Sequence, residues 1–351
     1  MPLPVVFPDK HSLHVPDGEI WVGVRIAGTE LPARGEAIAE ALRAAGHSLV
    51  PTLPISDDDL TAVHTPDLID FLRTAWDRWQ TSGYPVDPGQ DRVVPYAFPL
   101  AGLTSGRPPR RPVSIGALTG MFAMDTMTLI GEGTWEAVED AAAAAITAAT
   151  MVGKSERAVY AAVRPPGHHA GTSFYGGSCY LNNAALAAQR LLDRSLGPVA
   201  VIDIDAHHGN GTQQIFYETD RVRYGSVHID PGAGYFPHWL GFADEQGTGD
   251  GEGANLNLPL DPGTGDDGWL GAVQRLAEFA AGSRSLVVSL GVDAWMHDPE
   301  SPLQVTVDGY TRAGALLGAL DLPTVIVQEG GYDLSHLGAL VVGFLDGFEG
   351  G

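Results

Sequence analysis

Four short apolar runs, rich in β-branched residues, punctuate the chain: AVYAAV (158–163), VAVID (199–203), SLVVSL (285–290) and TVIVQ (324–328). None of them alternates polar with apolar positions. Continuous runs of this length belong to strands buried on both faces, as in a parallel sheet covered by helices. The segments between them agree, because helical spacing of apolar residues occurs at 34–46, 66–80, 134–153, 182–194, 266–282, 308–320 and 335–348. Alternating strands and helices predict an α/β fold, a three-layer α/β/α arrangement with a mostly parallel sheet. At 351 residues the chain can bury such a core as a single catalytic domain over 1–351.

The residues just past each strand matter more. AVYAAV runs into RPPGHHAG, VAVID into IDAHHGNG, SLVVSL into GVDAW, and TVIVQ into EGGYDL. Ligands of open α/β sheets bind at the carboxyl ends of the strands, so these loops are expected to converge on one site.

Residues i and i+2 of an extended segment point the same way, which offers an oxygen of Asp205 and a nitrogen of His207 to one ion. Asp293 supplies a third ligand from another strand end. Two carboxylates and one imidazole leave positions open, as a catalytic site requires, whereas closed structural zinc sites are cysteine-rich. Zinc suits the set best, and Fe2+, Co2+ or Mn2+ would accept the same ligands. Asp-x-His alone is as compatible with capping a following helix. The three further loops with complementary chemistry weigh against that.

His168 and His169 are adjacent, and a turn set by Pro165, Pro166 and Gly167 could aim both at a water beside the ion. One imidazole would take a proton and the other deliver one to a leaving amine. Asp203 and Asn210 are candidate partners, one for each ring, and an aspartate keeps its imidazole more basic than an amide does. The Tyr332 hydroxyl could donate to a developing oxyanion.

Composition narrows the possibilities. No uninterrupted apolar stretch of about 18 residues exists, so no transmembrane helix is expected, and MPLPVVFPDKHS lacks the pattern of a signal peptide. The single cysteine, Cys179, allows no internal disulfide and fits a cytoplasmic home. With 20 Lys+Arg against 43 Asp+Glu, the net charge of −23 argues against nucleic acid or an anionic membrane as partner. It would steer a small cationic substrate, although solubility alone also explains it. Residues 81–112 (TSGYPVDPGQDRVVPYAFPLAGLTSGRPPRRP) form a Pro- and Gly-rich insertion far longer than the usual connection of about 4–6 residues. Tyr84, Tyr96 and Phe98 favour an ordered surface there, either a lid or a contact.

The ordered motifs RPPGHHAG, DIDAHHGNGTQ, SLGVDAW and EGGYDL resemble the histone deacetylase superfamily, and most of all its bacterial acetylpolyamine amidohydrolases. Supporting stretches are AWDRW (75–79), GTWEA (133–137), CYLNNAA (179–185), IFYE (215–218) and FPHWLGFADEQGTG (236–249). The resemblance implies the arginase/deacetylase fold and zinc-dependent hydrolysis of an N-acyl amide of a small amine. It places Asp205, His207 and Asp293 on the metal, His168 and His169 as the tandem histidines, and Tyr332 as transition-state donor. It also implies K+ or another monovalent cation beside Asp203 and Asp205, and a homodimer formed through the 81–112 loop.

Glu300 falls at the family's rim gatekeeper, where a carboxylate can receive a distal ammonium. An exposed glutamate capping a turn would look the same. Phe236 matches one aromatic wall of the tunnel, while Ser178, beside Gly177 in the same substrate-binding stretch, stands where the opposite aromatic is expected, which should widen it. The acidic residues of the polyamine enzymes at 114–130 are replaced by Gly116 and Met127, with Asp125 nearby as a substitute. An acetyl-lysine peptide or a bulkier secondary metabolite is therefore an alternative substrate. A two-metal arginase-like ureohydrolase lacks its further carboxylate, since Gly209 occupies that position. A non-catalytic binding protein would be expected to have lost one of these side chains.

Overall fold

The computed structural model describes residues 2–351. Its strands are β1 (Val5–Val6), β2 (Glu19–Trp21), β3 (Val24–Ile26), β4 (Leu49–Val50), β5 (Ala158–Ala161), β6 (Val199–Asp203), β7 (Val222–Ile229), β8 (Asn255–Leu260), β9 (Ser285–Leu290) and β10 (Thr324–Gln328). Eight of them form one sheet in the order β4-β1-β5-β10-β9-β6-β7-β8. Every pairing within it is parallel. The central strands are the four apolar runs, and helices cover both of their faces.

The two faces can be read residue by residue. Val159, Val201, Val287 and Val325 pack with the helices Pro66–Gln80, Thr134–Met151 and Asn183–Asp193. Their neighbours Tyr160, Ile202, Val288 and Ile326 pack with Pro32–Ala44, Asp266–Phe279, Val307–Gly318 and Leu337–Gly350. The period of two along each strand thus divides one apolar sequence between two cores.

Periodicity does not reveal the other strands. β1 and β4 are two residues each, too short to carry a pattern. β7 and β8 contain Ser226, His228, Asn255 and Asn257, which are buried despite their polarity. β2 and β3 form a separate antiparallel hairpin. Its turn holds Val22 at φ 50° and Gly23 at φ 80°, a left-handed conformation that suits glycine and strains valine.

The insertion 81–112 consists of turns and irregular backbone apart from one bridge, Val93 to Ile130. Its base is packed. The Tyr84 ring lies 4.7 Å from that of Trp79, and Trp79 Nε1 donates to Gln90 O at 2.8 Å. Further out, Val86, Tyr96, Leu100 and Leu103 are exposed.

Candidate active site

Asp205, His207 and Asp293 offer ligand atoms that all lie within 4.8 Å of one another. β6 ends at Asp203, so the segment that carries Asp205 and His207 is bent rather than extended. Side chain to backbone bonds set the bends instead. Asp205 N donates to Asp203 Oδ1 (3.2 Å), His207 N to Asp205 Oδ1 (2.9 Å) and Ala206 N to Asp293 Oδ1 (2.8 Å). The register of β6 against β9 brings Asp293, past the end of β9, beside this turn.

His207 Nδ1 stands 3.1 Å from Asp293 Oδ2 and 3.3 Å from Asp205 Oδ1. Burial alone would lower this imidazole, but the two carboxylates raise it well above its ordinary value. Burial and the adjacent Asp205 push Asp293 up to about 7. Two buried carboxylates and an imidazole converging this closely form a donor set that a divalent cation would neutralise. Gly330 leaves room for it, because a Cβ there would come 2.5 Å from Asp293 Oδ2 and 2.7 Å from Asp205 Oδ2. The donor set and the space both fit a zinc-type ion.

The tandem histidines sit side by side, ring centroids 4.0 Å apart. His168 Nδ1 donates to Asp203 Oδ2 at 3.0 Å, and His169 Nδ1 to Asn210 Oδ1 at 2.8 Å. Each acceptor fixes the tautomer of its ring, leaving Nε2 available. Burial would lower both imidazoles. For His168 the carboxylates of Asp205 and Asp203 overcome it and hold the ring up at about 10. For His169 the cations of His168 and His207 reinforce burial, and the ring falls well below 6.5. Two adjacent histidines are driven apart in basicity by their partners.

Tyr332 lines the same cavity as His169 and His207. Burial pushes its phenol well above 10, so it stays a donor. Its backbone N donates to Asp298 Oδ2 (2.7 Å).

The cavity encloses about 420 Å3 and is also lined by Met127, Gly177, Ser178, Phe236 and Glu300. Phe236 stands edge-on to His169, centroids 4.8 Å apart. Glu300 Oε1 accepts from Thr29 Oγ1 at 2.8 Å, which ties it to the mouth. Asp125 is the exception. Its carboxylate accepts from the backbone N of Met127 (2.9 Å), Thr128 (2.9 Å) and Gly177 (2.6 Å), and it does not line this cavity. It holds the Gly177–Ser178 turn in place.

The chain matches the histone deacetylase domain over residues 29–347. It belongs to the histone deacetylase family. Its enzyme class is that of the amide-cleaving deacetylases. The chain is 38% identical over 351 residues to the acetylpolyamine amidohydrolase of Mycoplana ramosa, with 99% of each chain covered. It is 39% identical over 351 residues to acetylpolyamine amidohydrolase 1 of Pseudomonas aeruginosa, with 98% of each covered. The crystal structure of the acetylpolyamine aminohydrolase from Burkholderia pseudomallei superimposes with a TM-score of 0.92 at 37% identity, covering 99% of this chain and 98% of that one.

Within this deacetylase, several further residues support the site, and the sequence alone assigns none of them a role. Glu329 Oε2 accepts from Gly167 N (2.7 Å) and His168 N (3.1 Å), fixing the turn that bears the histidines. Tyr224 donates to Asp203 Oδ2 at 3.1 Å. Glu19 and Trp21, on the hairpin, line the mouth opposite no motif at all. Burial and the nearby Glu300 push Glu19 up to about 7.

Proposed function

We propose that the protein is a metal-dependent amidohydrolase, one catalytic domain over 1–351, that removes an acetyl group from a small cationic acyl amine of the acetylpolyamine class. The observation that carries this reading is a pair of carboxylates, Glu19 and Glu300, in the wall of the cavity whose inner end holds His169, His207 and Tyr332. A substrate spanning the two ends would place an amide at the inner group and an ammonium between the carboxylates. The relatives of matching length are acetylpolyamine enzymes by name, which supports the same class.

Asp205, His207 and Asp293 would hold the metal. A divalent cation bound there would supply Lewis acidity to an amide carbonyl and make a neighbouring water more acidic. His169, kept neutral by burial, is available to accept the proton of the attacking water and return it to the leaving nitrogen. His168, held protonated between Asp203 and Asp205, would set a cation behind the metal ligand Asp205. Tyr332 donates its hydroxyl hydrogen to the carbonyl oxygen as that atom becomes an oxyanion. Phe236 excludes water beside His169.

The exposed apolar side chains Val86, Leu100 and Leu103 of the insertion support a homodimer formed through that loop. A buried lone thiol, Cys179, fits a cytoplasmic setting. Among the described residues, no helix is long and apolar enough to cross a membrane.

A kinetic panel on the purified protein tests the assignment, with metal analysis alongside. It compares N-acetylputrescine, N-acetylcadaverine, N8-acetylspermidine and acetyl-lysine peptides. The reading expects the diamine and polyamine substrates to show the highest kcat/KM. A preference for the peptides would replace it with a protein deacetylase.

A further inference from the structure

We propose that an apolar groove beside the mouth is a second substrate subsite, and that it receives an aryl or branched-alkyl group carried on the amine side of the acyl amide. The proposal rests on the amidohydrolase reading above.

The groove encloses about 500 Å3. It is not a separate feature of the surface, because Trp21, Met127, Phe236 and His238 line both it and the catalytic cavity. Beyond those shared walls it is built from Phe98, Phe174, Pro237, Trp239 and Leu240. A substrate leaving the cavity past Trp21 therefore meets two continuations. One is acidic, at Glu19 and Glu300; the other is this groove.

The chemistry of the groove selects its occupant. Most polar groups that border it already have partners. Asp125 gives its oxygens to Met127 N, Thr128 N and Gly177 N. Asn210 accepts from His169 and donates to His169 O (3.3 Å), and Thr126 Oγ1 donates to Ile20 O (2.8 Å). An ammonium placed there would find no free carboxylate, whereas an apolar group would find aromatic and aliphatic walls on several sides. At its rims Trp239 is 81% exposed and Val22 85% exposed, which is unusual for side chains so large and apolar.

Position decides which part of the substrate enters. Trp21, at 52% exposure, belongs to the outer part of the shared wall, while the reacting amide lies inward at His207 and Tyr332. The groove consequently meets atoms beyond the amide nitrogen, not the acyl methyl. Ser178 in the cavity wall bears only a hydroxymethyl group, so the passage is not restricted to a thin, straight alkyl chain.

The test compares N-acetylputrescine with N-acetyl-4-phenylbutylamine on the metal-loaded full chain, in wild type and in the Trp239→Ser and Leu240→Ser variants. Both substitutions lie at exposed or half-exposed positions outside the catalytic cavity, so folding is preserved. Wild type should hydrolyse both substrates. Each variant should raise KM for the phenyl substrate about tenfold or more, the loss expected for an aromatic ring returned to water. N-acetylputrescine kinetics should stay within about twofold, and the mass in solution by light scattering should not change.

Equal losses on both substrates would overturn the subsite, as would unchanged KM for the phenyl compound or its failure to react with wild type. A change of mass in the variants would show that a second copy of this chain covers the groove, and would also overturn it. If wild type hydrolysed neither substrate nor any other acyl amine, the amidohydrolase reading itself would fall, and the subsite with it.

Discussion

The guanidinium of Arg34 lies 4.6 Å from the centroid of the Tyr332 ring. The same group donates through Nε to Gly331 O (2.7 Å) and through Nη2 to Glu329 O (2.6 Å). One buried cation thus fixes both the backbone of the EGGY turn and the face of its tyrosine, a cation–π contact in a desolvated place. Sequence reasoning assigns Tyr332 a role and gives no hint of Arg34, which is distant in the chain.

Removing the hydroxyl and removing its support should be distinguishable. Tyr332→Phe is expected to lower kcat on the order of 10²–10³-fold, the scale of a lost oxyanion donor. Arg34→Met leaves the hydroxyl in place but loosens the turn, and kcat should fall by about tenfold or more. Metal content measured by mass spectrometry should stay near that of wild type in both. Full activity in Tyr332→Phe would remove the assigned role.

Metal dependence has a readout apart from turnover. Chelation should abolish activity and lower the melting temperature, because an ion that binds only the folded chain stabilises it by mass action. Asp293→Ala should bring down metal content and melting temperature together, leaving little further response to chelator. A variant that still binds one ion tightly would exclude Asp293 from the set.

The acidic mouth predicts a pH dependence with a definite sign. Burial and Glu300 hold the Glu19 carboxyl up at about 7, so it is largely neutral below that pH and ionised above it. Only the ionised form attracts an ammonium. KM for N-acetylputrescine should therefore fall as pH rises through about 7, while KM for a neutral acyl amide stays flat. Glu300→Gln removes a charge that raises Glu19, so the midpoint should move to lower pH. Identical pH profiles for the two substrates would rule out the carboxylate pair as the ammonium site.

Glu30 is the keystone of a buried ionic cluster. It pairs with Arg34 (3.0 Å) and Arg164 (2.8 Å), and its second oxygen lies 3.5 Å from His14 Nε2. Burial would raise this carboxyl, yet Arg164, His14 and Arg34 together hold it below 4.5. Glu30→Gln should destabilise the fold by about 3–5 kcal/mol, since two buried guanidiniums lose their counter-charge. A depressed carboxyl contributes stability above its unfolded value and loses it as pH falls through the folded one. The gap between wild type and variant in urea titrations should accordingly close below about pH 4.5.

The repeating unit of the fold was written in the sequence. VAVID, SLVVSL and TVIVQ became strands at the residues expected, because an unbroken apolar run is stable only between two covering layers. The residue types gathered at their ends are legible in the same way. Histidines, carboxylates and a tyrosine placed after buried strands have few other uses, and a parallel sheet delivers them all to one edge. Asp203, Asp205, His207 and Asn210 could be named from a single segment for that reason.

Other features needed three dimensions. The extended geometry imagined for Asp205 and His207 gave way to a bent turn, since backbone N–H groups past the end of β6 bond to carboxylates instead of to another strand. Asp125 turns its oxygens to the backbone N–H groups of Met127, Thr128 and Gly177 and borders the apolar groove rather than the catalytic cavity. Glu19 and Arg34 lie on a hairpin and a helix whose local sequences carry no catalytic pattern, and Glu329 opens the EGGYDL motif without revealing which backbone groups it holds. The sequence by itself determined which residue types are available and which strands carry them. Only the tertiary structure decided which partner each one meets, and it is the partner, whether Asp203 or Asn210, Glu300 or Arg34, that sets the charge and proton affinity on which the chemistry depends.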